Sequence, residues 1–150
     1  MSLSIQRAQR KDLDAIIALN EASMPEHYKL QFWNFHLDYF WDVFLAAKID
    51  DKVVGYVMCH AETIHHVRAG IIISLAVAPE HKREGIGKEL MQNVQRIFRM
   101  KGIPLVALQV RKSNVDAIRF YEGLGYQTEM MLPGYYTEPT EDGWLMSRVL

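Results

Sequence analysis

The sequence predicts an α/β fold built on one mixed central sheet. Three observations carry that prediction. Short apolar runs bounded by turn residues recur in both halves of the chain, as strands do. Two segments of the second half switch to helical spacing of their apolar residues, and a glycine closes each. Strand-like runs flank both of those segments, which points to a sheet that is parallel in its second half and covered by helices.

Residues 3–8 alternate as a strand does. Asp12 is suited to cap a helix in which Leu13, Ile16 and Ile17 share one face. The stretch Met24-Pro25-Glu26-His27-Tyr28 ends that helix, because proline cannot continue it. A second short helix, rich in aromatics, is predicted through Phe32, Phe35 and Tyr39. The aromatic run Phe32, Trp33, Phe35, Tyr39, Phe40 and Trp41 is expected to be core for the most part. Residues 43–49 and 53–60 read as two strands, with a hairpin turn at Asp50-Asp51. Residues 71–77 form another apolar strand, which Pro79 ends.

Beyond it, Ile86, Leu90, Val94, Ile97 and Met100 recur at helical spacing up to Gly102. Residues 104–110 return to a strand. Ser113 or Asn114 starts a further helix, with Ala117, Ile118, Tyr121 and Leu124 on one face and Gly125 at its close. Residues 126–132 and 144–149 are the last strands. The order is strand, two helices, three strands, helix, strand, helix, two strands, or about seven strands and about four helices.

A length of 150 residues fits a single domain, 1–150, large enough to bury a core without a disulfide or a metal. The net charge of -1 shows no basic excess, so neither nucleic acid nor a membrane surface is expected as a partner. The one cysteine, Cys59, lies in an apolar run and reads as a buried, inert thiol. Nothing resembles a signal peptide or an apolar run long enough to span a bilayer, so a cytoplasmic protein is expected. His60, His65 and His66 are close in sequence, but no ligand spacing around them matches a zinc pattern. They are expected to sit exposed on a hairpin, and no metal is expected.

The richest stretch runs from Ser74 to Lys88 and is strand, short loop, helix. Within it, Lys82-Arg83-Glu84-Gly85-Ile86-Gly87-Lys88 opens the helix with two glycines preceded by two cations. Glycine lets backbone approach a ligand, and a helix start offers free N–H groups and a positive dipole end, which suits a pyrophosphate. A second stretch, Ser113-Asn114-Val115-Asp116-Ala117-Ile118-Arg119-Phe120-Tyr121-Glu122-Gly123-Leu124-Gly125-Tyr126, follows a later strand. Together the two resemble the signature of the GNAT acetyltransferases. Their pattern is an apolar strand, Q/R-x-x-G-x-G/A, a helix, and a later S-N-x-x-A-I-x-F-Y-x-x-L-G-F segment. Lys82 replaces the usual Gln or Arg.

The resemblance implies the GNAT fold, in which two central parallel strands splay to admit the pantetheine arm of acetyl-coenzyme A. It implies that the amides of Arg83, Glu84, Gly85, Ile86, Gly87 and Lys88 cradle the pyrophosphate, with Lys82 beside them. It places the pantetheine and acetyl carbonyl along Leu75, Ala76 and Val77. Asn114 takes the family's cofactor-contacting asparagine position, and Tyr121 that of the tyrosine near the sulfur, which would protonate the departing thiolate.

The Met24–Tyr28 segment resembles the L-P-E-N-Y of N-terminal acetyltransferases of the NatA catalytic type, relatives of the ribosomal-protein alanine acetyltransferases. Pro133-Gly134-Tyr135-Tyr136-Thr137-Glu138 and Glu141-Asp142-Gly143-Trp144-Leu145-Met146 resemble their Y-Y-A-D-G-E-D-A-Y-L-M segment, with extra residues around Glu138-Pro139-Thr140. The substrate implied is a protein N-terminus, gripped by Pro25, Glu26, Tyr28, Tyr135 and Tyr136, with part of the aromatic run lining the peptide groove. Glu26 is the candidate general base. Two alternative bases of the relatives are missing, because Ile71 stands where many carry histidine and Gln109 where others carry glutamate. Lysine side chains or a small amine are alternative substrates, and a non-catalytic acyl-coenzyme A-binding module is the alternative of another class. An auxiliary subunit near the first helices is a further implied partner.

Overall fold

The computed structural model describes residues 2–150. The strands are β1 (Leu3–Arg7), β2 (Phe44–Ile49), β3 (Lys52–Ile64), β4 (Val67–Val77), β5 (Leu105–Arg111), β6 (Gln127–Thr137) and β7 (Thr140–Val149). They form one seven-stranded sheet in the order β1-β2-β3-β4-β5-β7-β6. Its one parallel pair is β4 with β5. The helices are α1 (Leu13–Ser23), α2 (Leu30–Tyr39), α3 (Ile86–Met100) and α4 (Val115–Gly123).

The helices cover both faces. On one face α3 buries Leu90, Met91, Val94 and Phe98 against Leu45, Val57 and Cys59 of the sheet. Its apolar residues repeat every three or four positions, so one stripe faces the sheet. The Phe98 ring lies directly over Gly70, where an added Cβ would come within 2.6 Å of it. On the other face Ile16 of α1 and Trp33 of α2 pack with Phe44, Tyr56 and Met58.

Asp12 departs from expectation. Its side chain makes no cap bond to α1. It accepts instead from the backbone N–H of Gln9 at 2.9 Å and pairs with Lys48 at 2.9 Å, both side chains buried. The Lys48 ammonium, pointing inward from β2, needs a carboxylate more than the helix start does. The hairpins are also longer than the apolar pattern predicts. β3 and β4 continue to a tip where His65 and His66 both have positive φ, 47° and 67°. Residues 62–68 around the tip are all exposed, on both sides of the strands, so no inward-facing alternation marks them.

Pairing of β4 with β5 runs from Ala69↔Leu105 to Ile72↔Leu108 and stops. Beyond that point β4 is hydrogen-bonded to β3 alone and β5 to β7 alone. A register shift in β3–β4 sits at the same level: Met58 faces Ser74 while Cys59 faces Ile72, leaving Ile73 as the extra residue. A bulge bends its strand and increases local twist, so the two parallel strands part there.

Candidate active site

The parting strands open a cavity of about 510 Å³. Its walls come from six places in the chain. They are the end of α1 with the loop after it, Phe32 of α2, residues 72–75 of β4, residues 108–111 of β5, α4 with its cap Asn114, and the β6–β7 hairpin. Pro25, Glu26, Tyr28, Leu75, Asn114, Tyr121, Tyr135 and Tyr136 all line it. Ala76 and Val77 lie beyond the lining, where β4 leads toward the Lys82–Lys88 segment and the start of α3.

At that helix start the backbone is open. The amide of Lys82 donates to the Pro79 carbonyl at 3.3 Å, and the next bonded amide is Glu89, to Gly85 at 3.0 Å. The amides of Arg83, Glu84, Gly85, Ile86, Gly87 and Lys88 find no backbone acceptor among the described residues. Arg83 and Gly85 both have positive φ, 66° and 82°. Such left-handed positions turn successive N–H groups into a concave anion nest at the positive end of the helix dipole. Lys82, Arg83 and Lys88 are exposed beside it. Ile86 is buried under the sheet, so its amide and not its side chain is available. Glu84 is bonded to His81 at 3.1 Å. The open amides and the gap between β4 and β5 fit a pyrophosphate and an extended arm.

Across the cavity, Arg111 at the end of β5 reaches Glu26. Its Nε and Nη2 lie 2.8 and 2.7 Å from Glu26 Oε1. Nη1 donates to the Pro139 carbonyl at 2.8 Å and to Glu141 at 3.1 Å, and Nη2 to the Glu138 carbonyl at 3.1 Å. The Tyr136 ring stacks on the guanidinium, 4.5 Å from centroid to carbon. Hydrogen bonds from Ser113 and the Arg111 guanidinium hold Glu141 below the usual carboxylate range. Every nitrogen of Arg111 is thus engaged, and the side chain ties the β6–β7 hairpin to the loop after α1. Glu26 Oε2 makes no hydrogen bond among the described residues, so one carboxylate oxygen is left for a ligand.

Tyr28 stacks on Phe32, with centroids 4.8 Å apart, and its hydroxyl donates to the carbonyl of the bulge residue Ile73 at 3.3 Å. Tyr121 meets Tyr126 edge-on at 5.8 Å, and Tyr126 is anchored by a 2.6 Å bond to Gln95. The Tyr121 hydroxyl itself makes no hydrogen bond among the described residues, and burial pushes its pKa up. It therefore stays protonated, with its O–H uncommitted. Asn114 spends its Oδ1 on the Ala117 amide at 3.2 Å, a helix cap that leaves its NH₂ uncommitted.

Arg111 is the residue the sequence reading missed. A cation ending an apolar strand must find acceptors if buried, which is a usable signal. Gln109 and Ser74 also line the cavity, whereas Ile71 is buried against Ala69 and Ala107.

The aromatic run divides. Trp33 is core and Phe32 lines the cavity, but Phe35, Tyr39 and Trp41 are 46%, 70% and 47% exposed. They are not the core expected of them, because α2 turns Trp33, His36 and Leu37 inward, which leaves Phe35 and Tyr39 on the neighbouring side, and Trp41 follows the helix. His60 is not on the exposed tip with His65 and His66. Its Nδ1 lies 3.0 Å from Nε2 of the buried His36.

The chain matches the acetyltransferase (GNAT) family over residues 6–126. It is 34% identical to an N-alpha-acetyltransferase of Saccharolobus solfataricus, covering 98% of this chain and 93% of that protein. It is 32% identical to the N-terminal acetyltransferase A complex catalytic subunit NAA10 of Arabidopsis thaliana, over 97% of this chain and 77% of that one. Its fold is that of Arabidopsis thaliana Naa50, solved with a bisubstrate analogue, with a TM-score of 0.89, 24% identity and all of both chains covered.

Proposed function

The chain belongs to the acetyltransferase (GNAT) family, and from that premise we propose that it transfers the acetyl group of acetyl-coenzyme A to the α-amino group of protein N-termini. The observation that carries this reading is the form of the cavity. It runs from the gap between β4 and β5 to a rim made by Glu26, Tyr28, Tyr135 and Tyr136, with one oxygen of Glu26 uncommitted. A carboxylate at a narrow aromatic rim suits one ammonium group at the end of an extended chain. The kinship with curated N-alpha-acetyltransferases supports the same substrate.

In this reading the amides 83–88 hold the pyrophosphate, helped by Lys82, and the backbone of Leu75, Ala76 and Val77 lies along the pantetheine arm. Asn114 offers its NH₂ to the same ligand. Acetyl-coenzyme A supplies an activated carbonyl and a thiolate leaving group. Pro25, Tyr28, Tyr135 and Tyr136 hold the first residues of the peptide. Glu26 takes a proton from the α-ammonium, directly or through a water. That is a modest task, because its pKa is about 8 against about 10.4 for lysine. The nitrogen bonds to the carbonyl carbon and releases its second proton to solvent, the carbon–sulfur bond breaks, and Tyr121 gives its proton to the sulfur and recovers one from solvent.

The exposed face of α2, with Phe35 and Tyr39 and the adjoining Trp41, suits an auxiliary subunit. Exposed apolar side chains in such a cluster mark interaction surfaces, and the plant relative is the catalytic subunit of a complex. No helix among the described residues is long and apolar enough to cross a membrane.

The test is turnover of acetyl-coenzyme A across short peptides with free N-termini and no lysine, beside an N-blocked peptide carrying lysine. Preference for the first set is expected. Preference for the blocked lysine peptide would leave the family and remove the substrate.

A further inference from the structure

The loop 24–29, between α1 and α2, has no regular structure of its own, so its backbone must be held from outside. One residue holds it at two points. Asn20 is fully buried on α1. Its backbone carbonyl accepts the Met24 amide at 3.1 Å. Its side-chain Nδ2 donates to the Glu26 carbonyl at 3.1 Å and to the Tyr56 hydroxyl at 3.1 Å. The amide orientation is dictated, because the reverse would set Oδ1 against the Glu26 carbonyl oxygen.

The bonds then continue through the sheet. The Tyr56 and Ser74 hydroxyls share a bond at 2.7 Å, and both reach Met24 Sδ, at 3.8 and 3.3 Å. The chain of bonds leaves α1, crosses β3 and β4, and returns to the loop. Asn20 Oδ1 is buried without a partner. That is a cost the fold bears for the two bonds on the other atom.

Resting on the reading of the cavity given above, we infer that Asn20 is a positioning residue for the substrate loop. It fixes the Glu26 carbonyl, and with it the height of the Glu26 side chain over the cavity, without touching substrate. Asn20 is itself held fully buried on α1 against the sheet, so the loop is set before a peptide arrives.

The experiment compares Asn20→Ala and Asn20→Ser with Tyr56→Phe. The Asn20 variants lose the bond to the Glu26 carbonyl, whereas Tyr56→Phe keeps it and breaks only the buried network. For the Asn20 variants a rise in peptide KM of about three- to tenfold is expected, the equivalent of one lost hydrogen bond, with acetyl-coenzyme A affinity unchanged. Amide hydrogen exchange at residues 24–28 should quicken in the same variants, a readout that needs no activity. Tyr56→Phe should lower Tm without either change. Unchanged peptide KM and unchanged exchange in the Asn20 variants would overturn the inference. So would equal effects from Tyr56→Phe at equal loss of Tm, which would make Asn20 merely structural. Failure of the substrate reading shows differently: no N-terminal peptide turns over even in the wild type, while loop exchange still answers for Asn20.

Discussion

Glu26 and Arg111 lie 85 residues apart in the chain and meet at the cavity, with two guanidinium nitrogens 2.8 and 2.7 Å from one carboxylate oxygen. The Arg111 side chain is 9% exposed and that of Glu26 31%. A pair so placed has given up hydration and depends on its partner. Removing Arg111 would also strand Glu141 and the carbonyls of Glu138 and Pro139. Arg111→Met is therefore expected to lower stability by about 2–4 kcal/mol in denaturant titration, toward the lower end for a buried pair because Glu26 is partly solvated. Lysine should recover only part of it, having no planar fork. Wild-type stability in Arg111→Met would show the pair to be incidental.

Glu26→Gln keeps an oxygen for Arg111 and so keeps the loop in place. Turnover on N-terminal peptides should fall, and raising the pH toward about 8 should restore part of it as more α-amine becomes neutral. A blocked lysine peptide should gain far less over that interval. Normal turnover at neutral pH would remove Glu26 as the base.

Tyr121→Phe should lower turnover by about 10²-fold or more while leaving the affinity for acetyl-coenzyme A intact, since a proton donor acts in the transition state. Burial holds this hydroxyl's pKa above its usual value of 10.0. Its own ionisation should therefore leave no mark on the pH profile between about 6 and 9. Full activity in the variant would reduce Tyr121 to packing.

Gly87 faces Phe120, where an added Cβ would meet the ring at 3.2 Å. A bulky residue there would displace either Phe120 or the bound ligand, and Gly87→Val should weaken acetyl-coenzyme A binding by calorimetry. Unchanged affinity would move the pyrophosphate elsewhere.

His36 and His60 predict an acid sensitivity. His36 Nδ1 lies 2.9 Å from the Phe32 carbonyl and bonds to it as N–H, so Nε2 must accept from His60. That bond is lost when both rings carry two protons. Burial lowers the pKa of both histidines below 6.5. Below that pH the unfolded chain binds more protons than the folded one, so stability is full above about 6.5 and falls as the pH drops through the folded values. Tm measured from pH 7 to 5 should show the fall, and His36→Leu should flatten it. An equally steep curve in the variant would place the sensitivity in other groups.

What the sequence alone determined is local. The helix start at residues 83–88 was readable because its glycines, its cations and its open amides are consecutive, and a helix N-terminus creates its own free N–H groups. The Asn114 cap and the closing glycines Gly102 and Gly125 were readable for the same reason. The strand and helix order followed from periodicity wherever one face was apolar. Tertiary structure decided the rest. The parting of β4 from β5 depends on a single extra residue, Ile73, whose effect exists only once β3 is paired beside it. Asp12 was drawn from a helix cap to Lys48 because the inward ammonium on β2 had no other carboxylate partner. In α2 the spacing of Phe32, Phe35 and Tyr39 marks one aromatic stripe, yet packing turned the neighbouring stripe of Trp33, His36 and Leu37 inward and left Phe35 and Tyr39 at the surface. Arg111 shows the same limit at the cavity: a buried guanidinium must find acceptors, but which ones is settled by the loops that the fold carries to it from opposite ends of the chain.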